Sequence, residues 1–213
     1  EGLLDGGPPP AIAPAPITLS GLVHTFPADD GEGFTVGPID LVIQPGEVLF
    51  ISGANGSGKT TLIKLLLGLL PPSAGVLRFG DRPVTAATRD AYRQAFSVIF
   101  FDYFLFDQVI GAPDAAVRPW LRRLEIDHKV RFADGLFGGT DALSTGQRKR
   151  LALVHVLLSD RPVVVLDEWA ADQDPEDQLA VTIWKDGQVL RDDRGGQRRT
   201  SSSFEERGRP VRA

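Results

Sequence analysis

The chain has 213 residues, 42% hydrophobic and 24% charged, enough apolar material for one core of ordinary domain size and far from the composition of a disordered chain. Its 23 Lys and Arg against 28 Asp and Glu give a net charge of −5, which excludes the basic footprint of a dedicated nucleic-acid binder. With no cysteine and 3 scattered histidines, a disulfide framework, a thiolate nucleophile and a cysteine zinc site are excluded, and a metal cage has no obvious ligands.

Residues 1–16 carry Gly6, Gly7 and the prolines Pro8, Pro9, Pro10, Pro14 and Pro16, a composition that stays extended and reads as a linker. Two strand-like runs follow, Ile17 to Phe26 and Phe34 to Ile43, separated by a turn-rich stretch, and together they predict an antiparallel β layer. After the turn at Gln44-Pro45-Gly46, residues Glu47 to Ser52 read as a buried strand running into a glycine-rich loop. Thr60 to Leu70 is predicted as a Leu-rich helix ended by Pro71-Pro72, and Val76 to Val84 as a hairpin around Gly80-Asp81. Further on come a short helix from Thr88 to Ala95, a buried strand from Phe96 to Phe101, and a helix from Pro113 to Ile126 with Trp120, Leu121 and Leu124 on one face. Ser144 is suited to cap a helix running through Leu158, and Pro162 to Leu166 is a continuous apolar strand of the buried parallel type. Alternating strands and helices predict an α/β architecture.

Leu62 to Leu70 contains Lys64 and stops at Pro71, short of the roughly 18 to 20 uninterrupted apolar residues that a membrane span needs. These residues are therefore not expected to cross a membrane themselves. The chain starts at Glu1 and contains no methionine, from which the expectation is a piece of a longer chain whose upstream part could hold membrane helices. Beyond Glu176 the pattern deteriorates. Residues 194–213 hold many arginines, Ser201 to Ser203 and few apolar residues, so a solvated, disordered tail is expected there, with RNA or anionic lipid as the alternative reading of its charge.

Gly53-Ala54-Asn55-Gly56-Ser57-Gly58-Lys59-Thr60 matches G-x-x-x-x-G-K-[ST] directly after a predicted strand and at the start of a predicted helix, the context a phosphate-binding loop requires. Backbone amides in a glycine-permitted turn, with the positive end of the helix, offer matched donors to phosphate oxygens. Lys59 supplies a point charge for the β and γ phosphates, the Thr60 hydroxyl is the expected Mg2+ ligand, and Thr61 is the last of the expected ATP-binding residues. Val163 to Leu166 leads into Asp167 and Glu168, two acids at the carboxyl edge of a predicted parallel sheet. Asp167 is placed to hold Mg2+, and Glu168 to act as general base on the attacking water. Without the phosphate loop, the same pair would read as a solvated loop start.

Leu143-Ser144-Thr145-Gly146-Gln147 stands twenty residues ahead of that pair. With the phosphate loop and Asp167-Glu168 in this order, the sequence resembles the ATP-binding cassette (ABC) ATPases over about Ile17 to Pro175. The resemblance implies a P-loop NTPase fold with an antiparallel β layer and a helical subdomain. It divides the chain into a linker at 1–16, an ATPase domain at 17–176 with a helical insert at about 103–158, and an incomplete C-terminal portion with a basic tail at 177–213. Residues 143–153 and the run Leu166 to Pro175, above all Trp169 to Asp174, look like the cyclic-peptide and siderophore-peptide exporter subgroup, in which membrane helices precede the ATPase domain on the same chain.

The resemblance implies ATP and Mg2+ as ligands, an upstream transmembrane domain as partner, a position on the cytoplasmic face of the inner membrane, and no nucleic acid. It also implies a homodimer in which two cassettes close over two ATP molecules, Ser144 and Gly146 of each meeting the other's phosphate loop. Phe26 matches the position whose aromatic ring stacks on adenine, its alternative being a core residue at a strand end. Asp174 matches the acid that couples the two cassettes.

Two departures stand out. Phe101 occupies the position of the family's magnesium-sensing glutamine, with Asp102 a partial substitute, and Phe104 and Phe106 are expected to pack on the helical insert or on a coupling helix. His24, His128 and His155 all precede Asp167, so the family's switch histidine is missing. Ala180 to Val189 resembles the strand-turn-strand near the end of such domains, reached one helix and one strand too soon. An internal segment is therefore expected to be lost after Pro175, exposing apolar sheet edges and impairing turnover. His155 reads as a packed histidine and His128 as a surface one. Two alternatives to a transport ATPase follow: a hydrolysis-impaired nucleotide-binding module, and a soluble ABC ATPase acting on nucleic acid or ribosomes, which the acidic balance disfavours.

Overall fold

The computed structural model describes residues 12–27, 33–52, 56–100 and 102–166, and the backbone of 179–183 and 199–203. β1 (Ile17–Thr25) and β2 (Thr35–Ile43) pair antiparallel, and β1 pairs on its other side with β4 (Ala74–Phe79), which turns at Gly80 into the short β5 (Arg82–Pro83). The antiparallel layer predicted from the alternating sequence is thus a four-stranded sheet in the order β2-β1-β4-β5. Ile17, Leu19 and Leu22 on β1 and Val36, Ile39 and Ile43 on β2 are buried; the two-residue period of a strand is broken where the pairing register shifts between Leu19 and Leu22 and between Leu22 and His24.

β3 (Val48–Ser52) belongs to a second sheet and leads toward α1 (Lys59–Leu66). Leu62, Ile63, Leu65 and Leu66 of α1 are buried against both sheets in the largest hydrophobic cluster, with Leu49, Ile51, Val163 and Val165. The helix ends four residues earlier than its Leu-rich sequence predicts. Gly68 takes φ 66°, its N–H donates to the Leu65 carbonyl and Leu69 N–H donates to the Lys64 carbonyl at 2.7 Å. These two bonds satisfy the last turn's carbonyls and stop the helix before the prolines are reached. α2 (Arg89–Arg93) is fastened to that same end: the Tyr92 hydroxyl donates to the Leu66 carbonyl, and the Arg93 guanidinium donates twice to the Gly68 carbonyl, at 2.7 and 3.1 Å. Burial pushes the Tyr92 hydroxyl's pKa up, so it stays a donor.

β6 (Phe96–Ile99) precedes α3 (Asp114–Arg123), the hairpin of β7 (Arg131–Ala133) and β8 (Leu136–Gly138), α4 (Thr145–Leu158) and β9 (Val163–Leu166). α3 also stops short of its predicted end at Ile126, because Glu125 turns left-handed at φ 55° and Ile126 N–H donates back to the Leu121 carbonyl. Val117 and Leu121 of α3 form a separate cluster with Ile126, Val130, Phe132, Phe137, Leu143, Leu151 and Val154. α4 joins this lobe to the sheet: Leu151 and Val154 face the lobe, while Ala152 and Val156 pack on Ile99 and Val164. A helix between two cores is apolar on two sides, as its sequence is.

The second sheet runs in the order β11-β3-β10-β9-β6, where β10 is Leu179–Ile183 and β11 is Arg199–Ser203. β6 is parallel to β9 and β11 is parallel to β3, but β10 is antiparallel to both β3 and β9. β3, β6, β9 and β11 therefore share one direction and end at one edge. Two sequence expectations are corrected here. The sheet is not split open where a strand was expected to be missing, since β10 fills the place between β3 and β9. The expectation of a disordered tail over 194–213 fails for Arg199–Ser203, whose backbone extends the sheet beside β3. β10 begins at Leu179, at the edge where β9 ends in Leu166, and runs back antiparallel to it.

Candidate functional site

The shared carboxyl edge of β3, β6 and β9 is where an α/β sheet offers a crevice to ligands. At the end of β3 the chain enters the glycine-rich loop. Gly53, Ala54 and Asn55 lie outside the described residues. Gly56 and Gly58 adopt φ 84° and 94°, the left-handed region that favours glycine. Gly58 has a second reason to lack a side chain, because a Cβ there would stand 2.8 Å from Cγ2 of Val36 and 3.7 Å from Cζ of Phe34. The start of β2 is thus pressed against the loop.

α1 begins at Lys59 with Gly58 as its N-cap, and no side chain caps it, so the first amides of the helix point out of the loop for an external acceptor. Ser57 adds an independent sign: its Oγ is fully buried and has no hydrogen-bond partner, an arrangement that costs free energy until a ligand pairs with it. Lys59 and Thr61 are half-buried and Thr60 is exposed. The loop residues, the uncapped helix start and the unpaired Ser57 converge, and together they suit a phosphate group. A divalent cation would fit beside it at the Thr60 hydroxyl, a hard oxygen donor. Among the described residues no group of three or more His, Asp or Glu forms a metal cluster, and a cation bridged by phosphate oxygens needs none.

Phe26 lies just past the end of β1 and is partly exposed, its N–H donating to the Phe34 carbonyl at 2.8 Å. The two rings stack, with centroids 6.2 Å apart and planes 24° from parallel. The His24 ring meets Phe26 edge-on at 4.5 Å, and its Nδ1 bonds the Pro71 carbonyl at 2.9 Å. Phe34 was missed by sequence reasoning. The available signal was an aromatic residue one position before a strand and two before its first buried residue, Val36.

Leu143 is buried in the helical lobe and opens the approach to α4. Ser144 Oγ accepts from Gln147 N–H at 3.4 Å, while Gln147 Oε1 accepts from Ser144 N–H at 2.9 Å, closing a capping box. Thr145 and Gly146 are exposed at the helix start. Of the two residues expected to meet a partner's phosphate loop, Ser144 has its N–H and Oγ engaged in the capping box and Gly146 stands exposed. Within one chain this segment belongs to the helical lobe, and the phosphate loop to the core between the two sheets.

β9 ends at Leu166, one step before Asp167. Asp167, Glu168, Asp174 and Phe101 lie outside the described residues. Asp102 is exposed, and so are Phe104 and Phe106, whose rings meet edge-to-face at 5.1 Å. They border a cavity of about 220 Å³ that reaches Ser97, Ile99, Ala152 and His155. Phe104 and Phe106 thus do not pack into the lobe, the first of the two places expected for them. His155 sits edge-on to Phe137 at 5.2 Å with Nε2 buried and unpartnered. Burial lowers its pKa, opposed by a hydrogen bond with the Phe106 backbone and by the charge of Asp107. His128 is exposed beside Asp127.

Residues 36–171 match the family model described as ABC transporter. Among relatives, the chain is 47% identical over 150 residues to the ATP-binding protein SyrD of Pseudomonas syringae pv. syringae, covering 67% of this chain and 26% of that protein. It is 33% identical over 183 residues to the ATP-dependent lipid A-core flippase of Bordetella pertussis, covering 78% of this chain and 29% of that one. Among solved structures, cbiO1 from Clostridium perfringens, part of the ABC transporter complex cbiONQ, superposes with a TM-score of 0.60 at 28% identity, over 76% of this chain and 69% of that one. The chain spans under a third of the length of the two relatives. The P-loop fold, the glycine-rich loop at the end of β3 and the match over 36–171 place it plainly: this chain belongs to the ABC transporter family.

Proposed function

We propose that the chain is the ATP-binding and hydrolysing domain of an ABC exporter, working with a transmembrane domain at the cytoplasmic face of the inner membrane. The observation that carries this reading is the loop from Gly56 to Thr61, where an uncapped helix start and a buried, unpaired Ser57 hydroxyl await an anion. The amides would hold the β and γ phosphates, Lys59 would neutralise them, and Thr60 with Asp167 would hold Mg2+, which withdraws charge from the phosphate oxygens. Glu168 would orient the water that attacks the γ-phosphorus and take its proton, as the bond to the ADP oxygen breaks.

The exposed helix start at Thr145 and Gly146 supports a homodimer in which it faces the γ-phosphate held by a second copy, with Asp174 coupling the two. The exposed Phe104 and Phe106 at the mouth of their cavity support contact with a transmembrane domain. The run Trp169 to Asp174, similar to cyclic-peptide and siderophore-peptide exporters, supports a cargo of that type. Calorimetry with Mg-ATP on the 213-residue chain is expected to detect binding, and Lys59→Ala to abolish it. Unchanged binding in that variant would refute the site.

A second reading, nucleotide binding with impaired hydrolysis, is favoured by two observations: residues 168–213 hold no histidine, and β10 enters the sheet between β3 and β9 in the reverse direction. Single-turnover hydrolysis separates the two. Turnover near the ordinary enzyme rate of about 10 per second refutes impairment, whereas binding without cleavage supports it.

A further inference from the structure

We infer that the apolar cavity between α2 and the β4–β5 turn is the docking place of this chain's own residues Pro8 to Ala11, which turns the segment that reads as a linker into a strap held against the domain. The cavity measures about 460 Å³, and Ile12, Phe79, Pro83 and Tyr92 are among the residues that line it. Ile12 is the first described residue. It is half-buried and packs, with Phe79 and Val84, against the main hydrophobic cluster. The chain is fastened just beyond it: the Pro16 carbonyl accepts from Gly80 N–H at 2.8 Å, and a Cβ on Gly80 would stand 3.4 Å from Cβ of Ala15. Residues 12–16 thus meet the β4–β5 turn, and the chain passes from the cavity wall directly into Ala11.

Pro8, Pro9, Pro10 and Ala11 have the chemistry that such a cavity takes. Apolar grooves with aromatic walls bind proline-rich segments, which hold an extended helix in advance and lose little entropy on docking. The three prolines carry no backbone N–H, so Ala11 alone brings a donor to a wall that is almost wholly apolar. In polyproline geometry the four residues reach about 12 Å from Ile12, which leaves Leu3 and Leu4 beyond them. Charge agrees: Arg82 is the one charged residue among those described on the wall, and the charged residues of 1–11 are Glu1 and Asp5. A strap in this place bears on Tyr92, whose hydroxyl holds the end of α1.

The test is thiol reactivity in the 213-residue chain, which has no cysteine of its own. Ala91→Cys puts one thiol at an exposed position on the cavity wall. Its alkylation rate is followed by mass spectrometry with and without Pro9→Asp and Pro10→Asp, which put charges where an apolar cavity rejects them. Asp90→Cys, exposed and off the wall, is the control. The strap is expected to slow alkylation of Ala91→Cys about tenfold, the protection given by a segment docked roughly nine-tenths of the time. The two aspartates are expected to restore the rate, and Asp90→Cys to react alike in both backgrounds. Ala91→Cys combined in turn with Pro8→Cys, Pro9→Cys and Pro10→Cys is expected to give a disulfide within one chain at one of the three positions, since the bond needs Cα atoms within about 7 Å. An Ala91→Cys rate that the aspartates leave unchanged would overturn the inference, the cavity being then empty or otherwise filled. So would equal acceleration of Asp90→Cys, which would mean that α2 itself had loosened, and so would the absence of a disulfide at all three positions. A disulfide that links two chains would overturn it in favour of a second copy's segment.

Discussion

At the scale of single residues, the phosphate loop is held in shape by what Gly58 lacks. Its φ of 94° and the 2.8 Å approach of Val36 predict that Gly58→Ala destabilises the chain by at least about 1 to 2 kcal/mol and removes ATP binding, measured by denaturant titration and calorimetry. Val36→Ala in the same chain should recover the part due to the clash and not the part due to the backbone. His155 makes a pH-dependent contribution of known sign. Burial lowers its folded pKa below the value near 6.5 of the unfolded chain, so the unfolded state binds the proton more readily. Stability is then full above about pH 6.5 and declines as pH falls below it. The melting temperature of the wild type should drop between pH 7.5 and pH 5.5 by more than that of His155→Leu. An equal drop in both would show that other groups set the acid response.

The elements differ in how far they can be read from the sequence, and the reasons are local. The phosphate loop is legible because its glycines, Lys59 and the flanking strand and helix form one pattern whose chemistry demands those residue types. The start of α4 is legible for the same reason, since Ser144 and Gln147 stand three apart as a capping box requires. Ser144→Ala should cost about 1 kcal/mol in chemical denaturation, and Ser144→Gly only a few tenths. Helix ends were harder. Leucines at 67, 69 and 70 continue an apolar pattern past the point where Gly68 stops α1, and Glu125 ends α3 with a backbone conformation that its side chain does not announce. The pairing of β10 and the existence of β11 escaped the sequence reading, although Ala180 to Val189 was read as a strand-turn-strand. Leu179 to Ile183 reads as a strand, but its direction and its place between β3 and β9 depend on pairing across distant segments, and Arg199 to Ser203 has none of the apolar alternation that marks a strand. Phe34 was invisible for a related reason: its relation to Gly58 exists only once β2 folds back on the loop.

For the whole molecule, two cores are joined through one helix. Leu151 and Val154 serve the helical lobe, and Ala152 and Val156 serve the sheet. Leu151→Ala, at a fully buried position, should cost about 2 to 5 kcal/mol. Hydrogen exchange should show the loss concentrated in α3 and α4, with β1 and β2 still protected. Uniform loss of protection would mean that lobe and sheet unfold as a single cooperative unit.

The fastening at the far end of α1 carries a consequence for how loading is felt. Eight helical residues span only about 12 Å, and a helix of that length behaves as a strut. One end carries the proposed phosphate site; the other is bolted to α2 by Arg93 through the Gly68 oxygen and by the Tyr92 phenol through Leu66. Any shift of the strut when the proposed site fills is expected to be felt at α2, and in a chain with no thiol of its own a single reporter dye on the exposed positions of that short helix, read with and without Mg-ATP, checks it.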